Sequence, residues 1–164
     1  MQFYVNKAVC CGATSVVGGV GVVGAAVPFV ASWNPSAKAE AAGAPVTFNA
    51  SKLEPGQQMT VEWRGKPVWV IRRTETMNEN IRELNDVVKD PLSKESDQPA
   101  YIDSELRAIK EEYAVIVGIC THLGCSPKFR PEVAPADLGE DWLGGFYCAC
   151  HGSKYDLAGR VYPG

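Results

Sequence analysis

The sequence lacks an excess of positive charge, which excludes one large class of functions. Its 164 residues contain 16 Lys and Arg against 19 Asp and Glu, giving a formal net charge of −3. Proteins that bind nucleic acid need a basic surface to neutralise phosphate groups. We therefore expect no nucleic acid among the partners. The length suits one globular domain with a modest core and an appendage.

Charge is absent altogether from residues 8–37. A helix rises about 1.5 Å per residue, so the apolar stretch 8–30 would span roughly 34 Å, enough for a hydrocarbon layer of about 30 Å. The small residues Ser15, Gly19, Gly21 and Ala25 recur four apart and suit close packing in a membrane. We predict a membrane anchor helix over residues 1–31. Lys7 in the short flank favours an orientation with the remaining chain outside.

A cleaved signal peptide is the alternative reading of this stretch, because Ala37-Lys38-Ala39 resembles a cleavage site. The apolar core of a signal peptide is only about 7–15 residues, however, and the stretch here is longer. Residues 32–45, with the sequence SWNPSAKAEAAGAP, are small, polar and rich in turn formers. We expect a flexible linker there, either a passive stalk or a tether that lets a head domain swing.

Residues 46–164 have the pattern of an antiparallel β domain with one short helix. A first strand is predicted from Val46, a hairpin over residues 59–71 that turns at Gly65-Lys66, and a strand over residues 113–117. Apolar residues at helical spacing predict the helix over residues 77–88, after a capping box at Thr76-x-x-Glu79. Phe146-Tyr147 predicts a further short strand, and residues 127–141 a solvated excursion.

Histidine is scarce, and both copies lie in two short cysteine-containing boxes. The first box is Cys120-Thr121-His122-Leu123-Gly124-Cys125, and the second is Cys148-Ala149-Cys150-His151-Gly152-Ser153. Each box therefore supplies one Cys–His pair and one further cysteine. Thiolates and imidazoles are the usual ligands of zinc and of iron–sulfur centres. The two boxes predict a metal centre in a subdomain of about residues 118–164.

Several kinds of site are compatible with such boxes. A zinc site accepts two Cys and two His, but the spacing is not that of a zinc finger and leaves Cys125 and Cys150 without a role. Covalent haem needs C-x-x-C-H, and the second box is one residue too short. A four-cysteine ferredoxin site would leave both histidines idle. Two structural disulfides with incidental histidines are the last alternative.

The boxes resemble those of the Rieske family, and within it the subunits of cytochrome bc complexes. C-T-H-L-G-C and C-x-C-H-G-S, followed by Tyr155-Asp156 and Gly159, carry the resemblance, together with the anchor, the linker and the hairpin Trp63-Arg64-Gly65-Lys66-Pro67. The resemblance implies a mostly β Rieske-type domain over residues 46–164. It also implies one [2Fe–2S] cluster, with Cys120 and Cys148 on one iron and His122 and His151 on the other.

The resemblance assigns roles to further residues. It implies a disulfide between Cys125 and Cys150 that clamps the two boxes together, and it makes Ser153 and Tyr155 hydroxyl donors that tune the potential. His151 becomes the ligand that faces quinol and accepts its proton. Leu123 becomes part of the apolar surface against the quinone pocket, with a role in the core as the alternative.

The implied function is the redox subunit of a quinol–cytochrome c reductase. Such a subunit accepts an electron and a proton from ubiquinol at a cytochrome b subunit and passes the electron to a c-type cytochrome subunit. We expect it to be inactive alone, to belong to a dimeric complex, and to lie in the bacterial inner membrane with its head on the periplasmic side. The subunit of a plastoquinol-oxidising complex and a tethered zinc module are the alternatives.

The sequence departs from the family pattern in several places. Ala149 stands where the family usually has proline, and the excursion between the boxes is longer than in many relatives. The twin-arginine export signal of bacterial members is absent. The chain ends at Pro163-Gly164, where members continue through a proline-rich loop and a final strand. We therefore expect a truncated polypeptide with a more open cluster and an incomplete base sheet.

Overall fold

The computed structural model describes residues 7–102 and 104–163, with side chains described from Cys10 onward. Its contacts divide the chain into two units, Met1–Ala44 and Pro45–Gly164. The two units are described separately below.

The first unit is helical. Helix α1 covers Lys7–Ala31 and contains Pro28, and the short helix α2 covers Ala37–Ala42. The segment Cys10–Ala31 is long and apolar enough to cross a membrane, and none of it is buried against protein. Its apolar side chains therefore need a lipid or protein environment to leave water. Helix α2 lies inside the predicted linker, where the Ser36 hydroxyl caps it by accepting from the Ala39 amide at 3.2 Å.

The second unit contains two three-stranded antiparallel sheets. The first sheet has the order β1-β2-β3, with β1 at Gln58–Trp63, β2 at Lys66–Arg72 and β3 at Tyr113–Val117. The second sheet has the order β4-β5-β6, with β4 at Lys128–Arg130, β5 at Gly145–Cys148 and β6 at Ser153–Asp156. The described residues of this unit are thus mostly β with a single α-helix, as predicted.

The predicted hairpin and helix both form, with adjusted bounds. The β1–β2 hairpin turns at Arg64-Gly65, both with positive φ, and Trp63 pairs with Lys66. Helix α3 covers Glu75–Glu83 and continues as a 3-10 turn over Leu84–Asp86. Its cap is Thr74, whose hydroxyl accepts from the Met77 amide at 3.3 Å, and the predicted cap at Thr76 is wrong.

One other sequence prediction fails, and one holds only in part. Residues 45–49 form no strand, and the side chains of Val46 and Phe48 remain 48% and 39% exposed. The region predicted as a solvated excursion contains β4 and the buried side chain of Leu138. Just beyond it Trp142 is also buried, where it stacks on Tyr162 with ring centroids 5.8 Å apart. The excursion is therefore anchored to the domain at β4 and Leu138, while most of residues 132–141 remain exposed.

The core between the two sheets contains the residues that lead into the boxes. Trp69 of β2 stacks on Phe146 of β5 with ring centroids 4.7 Å apart. A Cβ at Gly118 would overlap the Trp69 indole, and one at Gly145 would overlap the Tyr155 carbonyl oxygen. Glycine at these positions permits the close approach that sets the boxes on the core. The buried cluster comprises Trp69, Ile71, Ala114, Cys120, Phe146, Cys148 and Tyr155.

Candidate metal centre

The two boxes form the same backbone turn. The carbonyl oxygen of Cys120 accepts from the Gly124 amide at 3.0 Å, and that of Cys148 accepts from the Gly152 amide at 2.9 Å. Both glycines have φ near +81°, a conformation that costs glycine little. Each turn thus begins at a buried cysteine and reverses at a glycine, with its histidine between the two.

The thiols and the imidazoles of the boxes point to different environments. Cys120 and Cys148 are free cysteines, only 3% and 2% exposed, and belong to the core between the sheets. His122 and His151 are exposed, and their ring centroids lie 4.7 Å apart at an interplanar angle of 82°. The structure therefore pairs the two cysteines inside the domain and the two histidines at its surface.

Cys125 and Cys150 form a disulfide bond, as the resemblance implied. The bond joins the two boxes covalently, and the Cys120 amide donates to the Cys125 carbonyl oxygen at 2.7 Å. The sulfur atoms of Cys125, Cys148 and Cys150 lie within 4.8 Å of one another. A free core thiol therefore lies directly beside the disulfide.

Tyr155 connects β6 to the first box through its hydroxyl group. The oxygen lies 3.1 Å from the Cys120 sulfur and 3.1 Å from the Thr121 hydroxyl, and it accepts from the Thr121 amide at 3.3 Å. Burial raises the pKa of Tyr155, and the contact with Cys120 raises it further. The phenol therefore stays protonated and able to donate to sulfur.

The same surroundings favour the thiolate form of Cys120. Burial opposes ionisation of this thiol, but the Tyr155 hydroxyl, the His122 amide, the Cys148 thiol and the Ser153 hydroxyl together lower its pKa to about 7. Thiolates, not thiols, bind metals. A cysteine whose ionised form is stabilised by hydrogen bonds is thus suited to a ligand role, and Ser153 and Tyr155 both lie where they act on it.

The arrangement fits two metal ions better than one. In a zinc site with Zn–S near 2.3 Å and Zn–N near 2.0–2.1 Å, all four ligand atoms crowd round a single point. Within residues 7–102 and 104–163, only one set of three potential ligand atoms lies within 4.8 Å of one another, the sulfurs of Cys125, Cys148 and Cys150. No histidine belongs to this set. A thiol pair apart from an imidazole pair is the donor set for two irons, one bound by sulfur and one by nitrogen.

Leu123 follows His122 in the first box. Its side chain is 70% exposed, in the first box beside His122. This exposure excludes the alternative role in the core. Sequence reasoning missed Thr121, which contacts Tyr155 through both its amide and its hydroxyl, and no pattern within the box marks that contact. It also missed Gly118 and Gly145, whose importance depends on the Trp69 ring and on the β6 backbone.

Comparison with known proteins agrees with this geometry. The Rieske [2Fe-2S] domain family matches residues 44–163, and a family described as "Ubiquitinol-cytochrome C reductase Fe-S subunit TAT signal" matches residues 11–36. The expectation that the export-signal region of bacterial members is absent is thereby corrected, since a family model of that region matches the chain. The chain belongs to the Rieske [2Fe-2S] domain family.

Named relatives place the chain more narrowly, among iron–sulfur subunits of ubiquinol–cytochrome c reductase. The subunit of Allochromatium vinosum is 56% identical over 157 residues, covering 96% of this chain and 76% of the relative. That of Bradyrhizobium diazoefficiens is 37% identical over 153 residues, covering 93% and 77%. The mitochondrial Rieske subunit of Schizosaccharomyces pombe is 39% identical over 136 residues, covering 83% and 51%. The apolar helix together with these bacterial relatives indicates that the chain is anchored in a membrane.

Proposed function

We propose that the chain carries single electrons from ubiquinol to a c-type cytochrome within a membrane-bound quinol–cytochrome c reductase. One observation carries the proposal: two buried thiols and two exposed imidazoles meet at the junction of the boxes. The relatives named above are subunits of ubiquinol–cytochrome c reductase, which favours this function over plastoquinol oxidation. The residues are suited to a [2Fe–2S] cluster, with Cys120 and Cys148 on one iron and His122 and His151 on the other.

The ligand set determines how readily an electron is taken up. When bound, a [2Fe–2S] centre with two thiolates in place of four is formally neutral when oxidised, and Rieske centres accept one electron at roughly −150 to +300 mV. The chain contributes by keeping water from the two thiols, which lie in the core with Trp69 and Phe146. The hydroxyl of Tyr155 stabilises negative charge on the Cys120 sulfur.

The exposed histidines give the site its contact with quinol. His151 would hold the cluster through one ring nitrogen, which would leave its other nitrogen free to accept a proton from a quinol hydroxyl. Cysteine has no second atom for this task, which explains why an exposed ligand is histidine. Leu123, exposed beside His122, supplies an apolar surface for the ring and tail of a quinone and for the pocket wall of a cytochrome b subunit.

The partners and location follow from the same role. Ubiquinol is oxidised where the head contacts the cytochrome b subunit, and the electron leaves to the c-type cytochrome subunit of a dimeric complex. Helix α1 spans the lipid of a bacterial inner membrane, residues 32–45 connect it to the head over residues 46–164, and the head lies on the periplasmic side. The chain alone, lacking the quinol pocket of cytochrome b, does not turn over.

The proposal is tested in a bacterium that lacks its own Rieske subunit and produces this chain. Membranes from that strain are expected to reduce cytochrome c with ubiquinol. His151→Leu should abolish the reaction, whereas Cys11→Ser, in the exposed face of α1, should not. Failure of the unchanged chain to restore reduction, although present in the membrane with its cluster, would refute the proposed role. Normal rates in His151→Leu would refute the role of that residue.

A further inference from the structure

The disulfide and the Cys148 thiol form a three-sulfur group with a chemical consequence. The sulfur atoms of Cys125, Cys148 and Cys150 all lie within 4.8 Å, and Cys148 is a free cysteine. Disulfides rearrange when a thiolate attacks one of their sulfurs, and the attack needs proximity but no external oxidant. We propose that, whenever the metal centre is empty, Cys148 exchanges with the Cys125–Cys150 disulfide and thereby closes the site.

The different exposure of the three cysteines determines the direction of the exchange. Cys150 is exposed and Cys125 is half-buried. Attack on Cys125 releases the Cys150 sulfur as a thiolate in contact with water, whereas attack on Cys150 would release a less solvated thiolate at Cys125. A bond between Cys148 and Cys150 would also close a very small strained ring, since only Ala149 separates them. The favoured product is therefore a Cys125–Cys148 disulfide.

The exchange balances without a co-reactant. The Cys148 sulfur bonds to the Cys125 sulfur while the Cys125–Cys150 bond breaks. The electron pair of that bond leaves on the Cys150 sulfur, which takes up the proton that Cys148 gives up. One disulfide and one thiol are present before and after, so no net oxidation occurs. In the product a disulfide still joins the two boxes, but Cys148 no longer offers a free thiol to a metal.

Metal loading would prevent the reaction because a thiolate held by iron is not available as a nucleophile. The second box favours the exchange further, since it carries Ala149, whose side chain is exposed and which lacks the rigid φ of proline. The exchanged form would need a thiol reductant before it could accept a cluster. The exchange concerns the chain without a cluster, so its test is independent of the electron-transfer role proposed above.

Disulfide mapping of the full chain in detergent tests the proposal. The cluster is removed with an iron chelator in the absence of oxygen and thiols. The free cysteines are then alkylated at mildly acidic pH, which slows further exchange. The digested peptides are identified by mass spectrometry. We expect a peptide pair joined through Cys125 and Cys148, and alkylated Cys150. The cluster-loaded chain, treated identically without chelator, should show only the Cys125–Cys150 pair.

Two variants that both lose a ligand thiol provide a matched comparison. Cys120→Ser leaves the three-sulfur group intact and should show the Cys125–Cys148 pair as purified. Cys148→Ser lacks the nucleophile and should retain Cys125–Cys150 completely. Retention of only Cys125–Cys150 in both the emptied chain and Cys120→Ser would overturn the proposal. Rearrangement that persists in Cys148→Ser would overturn it equally, because another thiol would then be responsible.

Discussion

Tyr155 is the residue through which the second sheet acts on the first box. Its hydroxyl lies 3.1 Å from the Cys120 sulfur, and it also contacts Thr121. A hydrogen bond to a thiolate ligand stabilises the reduced, more negative state of the centre. We therefore expect the contact to raise the midpoint potential of the centre, and its removal to lower it.

Tyr155→Phe should lower the midpoint potential while the cluster still assembles. A hydrogen bond contributes about 1 kcal/mol net, and a tenfold change in a one-electron equilibrium corresponds to about 59 mV, so we expect a fall of about 40 mV. Redox titration followed by circular dichroism measures it. Ser153→Ala should shift the potential in the same direction. An unchanged midpoint in both variants would contradict the tuning role.

At the scale of elements, a buried ion pair joins the end of β6 to helix α3. Asp156 and Arg160 are both fully buried, with Nε of Arg160 donating to Oδ2 of Asp156 at 2.6 Å. The same guanidinium donates to the carbonyl oxygen of Ile81 and, at 2.5 Å, to Oδ1 of Asn85. These hydrogen bonds connect the turn after β6 to helix α3 and to the 3-10 turn that follows it.

Arg160→Met should destabilise the domain strongly, because it leaves the Asp156 carboxylate buried without its partner. Removing one partner of a buried ion pair costs about 3–5 kcal/mol. Urea unfolding in detergent, monitored by circular dichroism, measures the change. Glu112→Gln breaks the exposed Arg72–Glu112 pair and serves as the control, with little expected effect. Equal stability losses in the two variants would contradict the contribution assigned to the buried Asp156–Arg160 pair.

Asp90 organises the loop between α3 and β3, and its contribution depends on pH. The Ser96 hydroxyl, donating to Oδ2 at 2.5 Å, lowers the pKa of Asp90; burial opposes this, and the amides of Lys94, Ser96 and Glu95 lower it further. Because the folded pKa lies below the unfolded one, the stabilisation is present above pH 3.8 and is lost as pH falls through the folded value.

Asp90→Asn should therefore be less stable than the unchanged chain at neutral pH. The difference in stability between the two chains should stay constant down to about pH 5. It should shrink at lower pH, as Asp90 takes up a proton. Urea midpoints measured across this range provide the test, and Asp97→Asn in the same loop is the charge-matched control. A stability difference that grows towards acid would show that the sign is wrong.

Local patterns determine only part of this architecture. The apolar run of β3, the β1–β2 hairpin and the boxes are visible in the sequence because each rests on neighbouring residues. The strand predicted from Val46 fails because a pattern cannot show whether a partner strand is present. The cap of α3 is Thr74 rather than Thr76 because only Thr74 has the extended backbone of a cap. The burial of Trp142 depends on Tyr162, twenty positions away.

The metal site shows the same division between local and distant information. The box motifs identify Cys120, His122, Cys148 and His151 as candidates, but not that the thiols lie in the core and the imidazoles at the surface. That separation comes from the packing of β2 against β5, with Trp69 stacked on Phe146. The contact of Tyr155 with Cys120 arises in the same way, since β6 pairs with β5.

At the scale of the whole molecule, the chain combines an apolar helix with a β domain that exposes the two imidazoles. The account depends on mixed ligation of two irons at the two boxes. Electron paramagnetic resonance of the purified, dithionite-reduced chain measures this most directly, with Cys148→Ser as the cluster-free control and Cys11→Ser as the matched neutral change. We predict a [2Fe–2S] signal with the low average g value of nitrogen ligation in the unchanged chain and in Cys11→Ser, and none in Cys148→Ser. A silent, zinc-containing protein, or the signal of an all-cysteine cluster, would contradict it.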